Sequence, residues 1–289
     1  MHSGGQSSHE ATHAGIFYPE EPGELRDLVA KLLQASLPSA SPALAILSPH
    51  ACFEYTGDLS AQAWKAAEGR SIRTLVILAP YHGSTETAIW LPESSRYSGP
   101  FGSFPVDRDA VEGLSECGTH YLVNDIHHLE EHSIEVQLPF AAAICPGASL
   151  VPVLVGGCGM SLVKSLATGL RLVFGASALS TLFVVSSDLC FGTSAEDSRR
   201  ESDNYQGLIL SGDWEGLAAS AASKRSCGAA CVAALIASGL SGRARILARH
   251  DAKSARETDD DPYGEYAAIA FDRPGPRLAV QPGQEGQPR

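Results

Sequence analysis

"LVILAPYHGS", residues 75–84, decides how this chain is read. Its apolar run is unbroken, the mark of a strand buried on both faces. A proline, a tyrosine and a histidine then end the run. Residues 44–57, "LAILSPHACFEYTG", do nearly the same thing. Proline cannot donate to a ladder and fixes the turn that follows. His50 and His82 therefore each sit just past the carboxyl end of a buried strand. If the two strands are neighbours, both imidazoles face one crevice; the alternative is two unrelated loop histidines.

Strands and helices alternate outward from this pair. Leu25, Leu28, Val29, Leu32 and Leu33 share a helical face. "DLSAQAWKAA" (58–67) opens with Asp58, a suitable N-cap. "LVPVLV" (150–155) and "TLFVVSS" (181–187) read as strands, and Leu162, Leu166, Leu170 and Val173 as a helix between them. Polar helices are expected around 196–222, and an apolar one in "CGAACVAALIASG" (227–239). "RARILARHD" (243–251) and "YGEYAAIAF" (263–271) close the pattern as strands. Apolar strands separated by helices predict an α/β fold. The expected architecture is a single three-layer domain with a mainly parallel or mixed sheet and helices on both faces. Ligands in such sheets sit beyond the carboxyl ends of the strands. The domain is expected over 12–273, with polar tails at 1–11 and 274–289 reading as disordered.

Composition narrows the function. Hydrophobic residues make up 44% and charged residues 19%, enough apolar material for a large core. A net charge of -12 argues against a nucleic-acid partner. No run approaches the roughly 18 apolar residues that span a bilayer. The first residues carry no signal-peptide pattern. Seven cysteines without an export signal read as reduced thiols in a cytoplasm. HExxH, GxSxG, P-loop, GxGxxG and CxxC motifs are all absent.

Three further segments could carry chemistry. "DIHHLEEHSIEVQLPF" (125–140) concentrates His127, His128, His132, Glu130, Glu131 and Glu135. Its early acids suit a helix N-terminus, and in a helix His132 and Glu135 share a face. A solvated turn would explain His127 and His128 but suits His132 less. "VVSSDLCFG" (184–192) ends a strand with Asp188, which either orients a ligand or caps the next helix. "SCGAAC" (226–231) puts Cys227 at a helix start, where a thiol loses its proton more readily, with Cys231 facing the core.

Taken together the chain resembles the MEMO family, also described as the B component of the AmmeMemoRadiSam system. The matching stretches are "AGIFYP" (14–19), "PHACFEYTG" (49–57), "LAPYH" (78–82), "GPFGSFPVD" (99–107), "EHSIEVQLPF" (131–140), "VPVLVG" (151–156), "SSD" (186–188), "CG" (227–228) and "YAAIAF" (266–271). The resemblance implies a fold similar to the LigB-type class III extradiol dioxygenases and a metal-binding cleft at the strand ends. It implies His50, His82 and Cys227 as metal ligands, with His132 and Asp188 as catalytic or hydrogen-bonding groups beside them. The implied cofactor is one metal ion, iron first, with copper or zinc as alternatives. The implied activity is a metal-dependent, dioxygenase-like oxidoreductase acting on a small aromatic molecule. The alternative is a non-catalytic module that binds a small molecule or peptide. A thiol enzyme pairing Cys227 with His132 is a third reading, and it leaves His50 and His82 unexplained.

Three departures from the family pattern stand out. The histidine usual after Ser-Ser-Asp is replaced near Phe191, leaving His132 or His250 to substitute. Cys52 stands in place of a usual glycine beside His50. "TDDDPYGEYAA" (258–268) replaces a stretch of small residues and serines.

Overall fold

The continuous apolar runs at 45–48, 181–186, 74–80 and 149–156 become the centre of a sheet, because only full coverage on both faces removes such surface from water. The computed structural model describes residues 7–83, 86–223, 226–250 and 263–273. Its strands are β1 (Ser8–Glu10), β2 (Ala45–Ser48), β3 (Thr74–Pro80), β4 (Ala88–Leu91), β5 (Arg96–Gly99), β6 (Gly102–Pro105), β7 (Tyr121–Val123), β8 (Ser149–Gly156), β9 (Thr181–Ser186), β10 (Cys190–Gly192), β11 (Arg243–His250) and β12 (Tyr263–Asp272). Its α-helices are α1 (Pro22–Ala35), α2 (Phe53–Lys65), α3 (Arg108–Ser115), α4 (Ile126–Glu130), α5 (His132–Glu135), α6 (Leu138–Ile144), α7 (Met160–Phe174), α8 (Ala195–Ser211), α9 (Trp214–Ser220) and α10 (Ala229–Ser238).

The main sheet runs β10-β12-β2-β9-β3-β8-β4-β7, with β11 on the outer side of β12. β2, β9, β3 and β8 are parallel, while β12 and β4 run against their inner neighbours. The sheet is therefore mixed, and the fold is the expected three-layer α/β domain. α1, α2 and α6 pack together as one helical layer, and α3, α7, α9 and α10 as another. Met160–Ser180 is apolar enough by length and composition to cross a membrane. Here Leu162, Leu166 and Leu170 are buried, and α7 packs on α10 and α3.

β2 and β3 are not neighbours; β9 lies between them. The two histidine loops still meet, because three parallel strands end at the same edge. The middle one adds Ser186 and Asp188 between the imidazoles. α2 starts at Phe53, not at Asp58, so Asp58 is an interior helical residue and not a cap. Segment 126–144 is helical as expected, but broken into α4, α5 and α6.

Ser8–Glu10 falls in the stretch read as a tail, yet it pairs parallel with β5. His9 is buried and stacks on Tyr97 with ring centroids 4.2 Å apart, which anchors the strand. Residues 1–6, 274–289 and the start of the 258–268 segment lie outside the described residues.

His128 shows how α4 is tied to the sheet. Its Nε2 lies 3.2 Å from the Trp90 carbonyl, which can only accept, so Nε2 carries the hydrogen. Nδ1 then accepts from the Tyr97 hydroxyl at 2.9 Å. Both ring nitrogens are used by the neutral form, and burial pushes the His128 pKa down to about 3. The unfolded chain takes up this proton near pH 6.5 and the folded chain does not. Stability that is intact above pH 6.5 is therefore lost as pH falls toward about 3. We expect His128→Gln to remove up to about 1.4 kcal/mol per pH unit from the slope of unfolding free energy in that window. Chemical denaturation at stepped pH measures it; an unchanged slope contradicts the assignment.

Candidate metal centre

The parallel strands deliver their next residues to one rim. β2 leads through Pro49 to His50, β9 through Ser187 to Asp188, and β3 through Tyr81 to His82. α5 adds His132, and the turn before α10 adds Cys227. The rings of His50, His82 and His132 form a near-equilateral triangle, with centroids 5.2, 5.3 and 5.4 Å apart. One donor atom from each lies within 4.8 Å of the others. A second group satisfies the same limit: His50, Asp188 and Cys227. His50 belongs to both. An ion with bonds of about 2.0–2.3 Å fits donors at such spacing with little movement.

Hydrogen bonding decides which nitrogen each ring offers. The Ser186 hydroxyl donates to the Ser133 carbonyl at 2.6 Å. With its proton committed there, the Ser186 oxygen must accept from His50 Nδ1–H at 3.1 Å. It also accepts from Gln137 Nε2 at 3.0 Å. Gln137 is fixed in turn, because its Oε1 accepts from Trp64 Nε1–H at 3.0 Å and its amide donates to the Pro49 carbonyl at 2.8 Å. His50 is thus held with a lone pair on Nε2, which lies 3.4 Å from Cys227 Sγ and 3.6 Å from Asp188 Oδ2. Burial pushes the His50 pKa down to about 4, outweighing Asp188, so the ring is neutral at pH 7.

Glu131 does the same for the other two imidazoles. His82 Nδ1 donates to it at 3.0 Å, and His132 Nδ1 lies 3.1 Å from it. Its carboxylate also accepts from the backbone N–H of His82 and of Ser133, capping α5. Burial alone would raise its pKa, but the bonds from His132 and His82 outweigh burial and hold it far below the carboxylate range. His82 shows the reverse balance: burial lowers its pKa, and Glu131 more than restores it. All three rings therefore have Nδ1 against a protein acceptor, which leaves Nε2 as the nitrogen each can offer to a ligand. That arrangement suits a divalent transition metal.

Neighbouring groups hold this frame. Asp188 Oδ1 accepts from the His50 backbone N–H at 3.1 Å. Asp188 caps no helix: the N-cap of α8 is Ser194. Glu135, close in sequence to His132, faces another way. It accepts from the backbone N–H of Thr12 and His13, both at 2.9 Å, and from the Tyr18 hydroxyl at 2.6 Å. The strap so tied carries Phe17, which stacks on His132 with centroids 4.3 Å apart.

Several sequence expectations change here. Cys227 precedes the N-cap of α10, Gly228, and burial followed by the nearby Asp188 pushes its thiol pKa up. A helix start therefore does not by itself make it a thiolate. Gly228 is needed because a Cβ there would come within 2.3 Å of the Ser187 side chain. Cys231 faces the core as expected. Cys52 donates toward the Ile16 carbonyl at 3.7 Å. His250 does not take the place of the missing histidine; its Nε2 lies 3.0 Å from Asp58, in a separate cavity beside α2 and α8. Phe191 packs edge-on to Tyr266. The sequence reading took Glu131 only as an acid suited to a helix N-terminus and gave Ser186 and Gln137 no role, although a glutamine in the apolar run after Ile134 was a usable signal.

A cavity of about 400 Å³ opens beside the centre. His82, Tyr81, Cys227, Val155, Cys158 and Ala230 help line it. Its size suits a small molecule.

A profile of the Memo-like protein family matches residues 9–269. The chain is 31% identical over 188 residues to the protein memo-1 homolog of Caenorhabditis elegans, covering 64% of this chain and 53% of that protein. It is 31% identical over 185 residues to protein MEMO1 of Danio rerio, covering 63% and 62%. A MEMO1 family protein of Thermoplasma acidophilum is 26% identical over 197 residues, covering 68% and 71%. The match thus spans little more than half of the nematode protein.

Removing an acceptor that fixes a ligand ring costs metal affinity rather than the fold. We expect Ser186→Ala to weaken zinc binding by about 10–100-fold while the protein stays folded. Competition titration against a chromogenic chelator measures it, and unchanged affinity contradicts the role given to Ser186.

Proposed function

The chain belongs to the Memo-like family, and on that premise we propose that it is a metal-dependent oxidoreductase whose cleft takes a small, ring-sized organic molecule. The observation that carries this reading is the arrangement of His50, His82 and His132, each with Nδ1 against a protein acceptor and with one donor atom of each within 4.8 Å of the others. His50 and His82 hold the ion, and Cys227, His132 and Asp188 complete or flank its shell. A bound iron ion supplies Lewis-acid and redox capacity toward dioxygen and a hydroxyl-bearing ring. The remaining steps belong to the protein. His82, the most exposed of the three rings, lines the cavity and faces entering substrate. Tyr81 donates to Glu130 at 2.8 Å. Burial, then that bond, raises its pKa to about 12, so it stays a proton donor at the wall. Phe17 shields His132 on one face. With seven free cysteines, we place the protein in the cytoplasm. Its net charge argues against nucleic acid as a partner.

A second reading is favoured by one feature: Phe191 stands near the position where the family carries a histidine after Asp188. In that reading the cleft binds a small molecule or peptide without turnover.

Anaerobically purified protein is loaded with iron(II) and assayed for bound metal and for oxygen uptake with a panel of catechols. We expect about one ion per chain and catechol-dependent uptake, with at least tenfold weaker metal binding in His50→Ala and His82→Ala. Metal bound without uptake, with catechols still binding, selects the second reading. No bound metal after loading contradicts both the centre and the enzyme.

A further inference from the structure

The helices of one layer do not close fully on each other. α1 and α6 pack together, yet a cavity of about 240 Å³ stays open between them and the turn from β5 to β6. It shares no lining residue with the cleft beside His82. Small side chains leave the gap, since Ala30 of α1 and Ala142 and Ala143 of α6 line it. The buried Leu25 and Val29 line it too. The walls are stiff. Pro22, Pro100 and Pro139 each fix the backbone at a wall position. The Phe101 ring folds back on Gly99, where a Cβ would come within 2.7 Å of it. The same ring packs near Tyr18 and Phe104, with centroids 6.4 Å away in each case. An apolar gap held open in this way forfeits contacts that close packing makes, and a guest that fills it gains them.

One charged residue stands among these apolar ones, Arg26. On α1 its neighbours three and four residues away are Pro22, Gly23, Val29 and Ala30, so its own helix offers it no acid. Among the described residues it makes no ion pair. A carboxylate matches the planar fork of a guanidinium. We infer that this groove is a binding site for a small monocarboxylic acid with an apolar body, its carboxylate on Arg26 and its chain or ring against Leu25, Val29 and Phe101. At about 30 Å³ for each water-sized group, the cavity takes about eight heavy atoms, which is the size of hexanoate. With one cation in the wall and a net charge of -12 on the chain, a second acid group on the guest finds no partner. The site owes nothing to the metal centre and stands apart from the proposed oxidoreductase activity.

The probes are hexanoate, hexan-1-ol and hexylammonium, which share one body and differ in the head group. Each is titrated into the full chain by isothermal calorimetry, with methyl NMR to locate the bound molecule. We expect saturable hexanoate binding with a dissociation constant below about 1 mM, at least tenfold tighter than hexylammonium. The methyl signals of Leu25 and Val29 should shift. Arg26→Gln should weaken hexanoate at least fivefold and leave hexan-1-ol within about twofold. Ala142→Leu should fill the groove and weaken both at least tenfold. His82→Ala should leave hexanoate binding within about twofold, which separates the groove from the metal centre. No saturable hexanoate binding overturns the site. Equal affinity for the three head groups, or hexanoate binding indifferent to Arg26→Gln, overturns the carboxylate assignment and the inference with it. Unshifted Leu25 and Val29 methyls, or binding lost in His82→Ala, place the acid elsewhere and also overturn it, leaving the metal-binding function intact. Should Ala142→Leu unfold, as judged by circular dichroism, the Arg26→Gln titration and the methyl shifts decide on their own.

Discussion

Everything at the rim depends on one hydroxyl hydrogen. Ser186 gives it to the Ser133 carbonyl and so can only accept from His50. That bond sets the tautomer of a buried imidazole that burial already keeps neutral. Reversing it would strand a ring nitrogen and a hydroxyl in an enclosed site, at a cost of about 1–3 kcal/mol for each unsatisfied group. The chain Trp64, Gln137, Ser186, His50 is therefore a fixed sequence of donors and acceptors. Its terminal lone pair points at the place where carboxylate, sulfur and two more imidazoles gather.

The fold explains why these groups can be held so closely. Parallel strands end at a common edge, so residues far apart in sequence arrive within a few ångströms of one another. α5 is too short to stand alone, and its residues are locked from several sides. Glu131 caps it, Ser133 reaches the Pro80 carbonyl at 2.9 Å, and Glu135 ties down the N-terminal strap. In "EHSIEVQ" nearly every polar residue has a different partner, which explains the break into short helices better than propensity does.

Much of this was legible in the sequence. Unbroken apolar runs marked β2, β3, β8 and β9, because strands covered on both faces have no polar side to show. His50, His82, His132, Asp188 and Cys227 were visible as polar residues at strand or helix ends, and the structure gathers all five. What the sequence did not show was spatial order. Periodicity cannot reveal that β9 separates β2 from β3, nor that His50 lies beside both Cys227 and His132. β4 to β7 were missed because they are short, and β5 to β7 are partly exposed as well. The start of α2 was misplaced because Cys52 is not a usual cap residue. The thiol of Cys227 was misjudged because burial outweighs a helix terminus.

The central claim is the tautomer of His50 in the metal-free protein, and long-range proton–nitrogen NMR on nitrogen-15 histidine-labelled protein at pH 7 tests it most directly. The account predicts a neutral His50 ring with hydrogen on Nδ1 and an unprotonated Nε2. A His50 signal showing hydrogen on Nε2, or a doubly protonated ring, would contradict it.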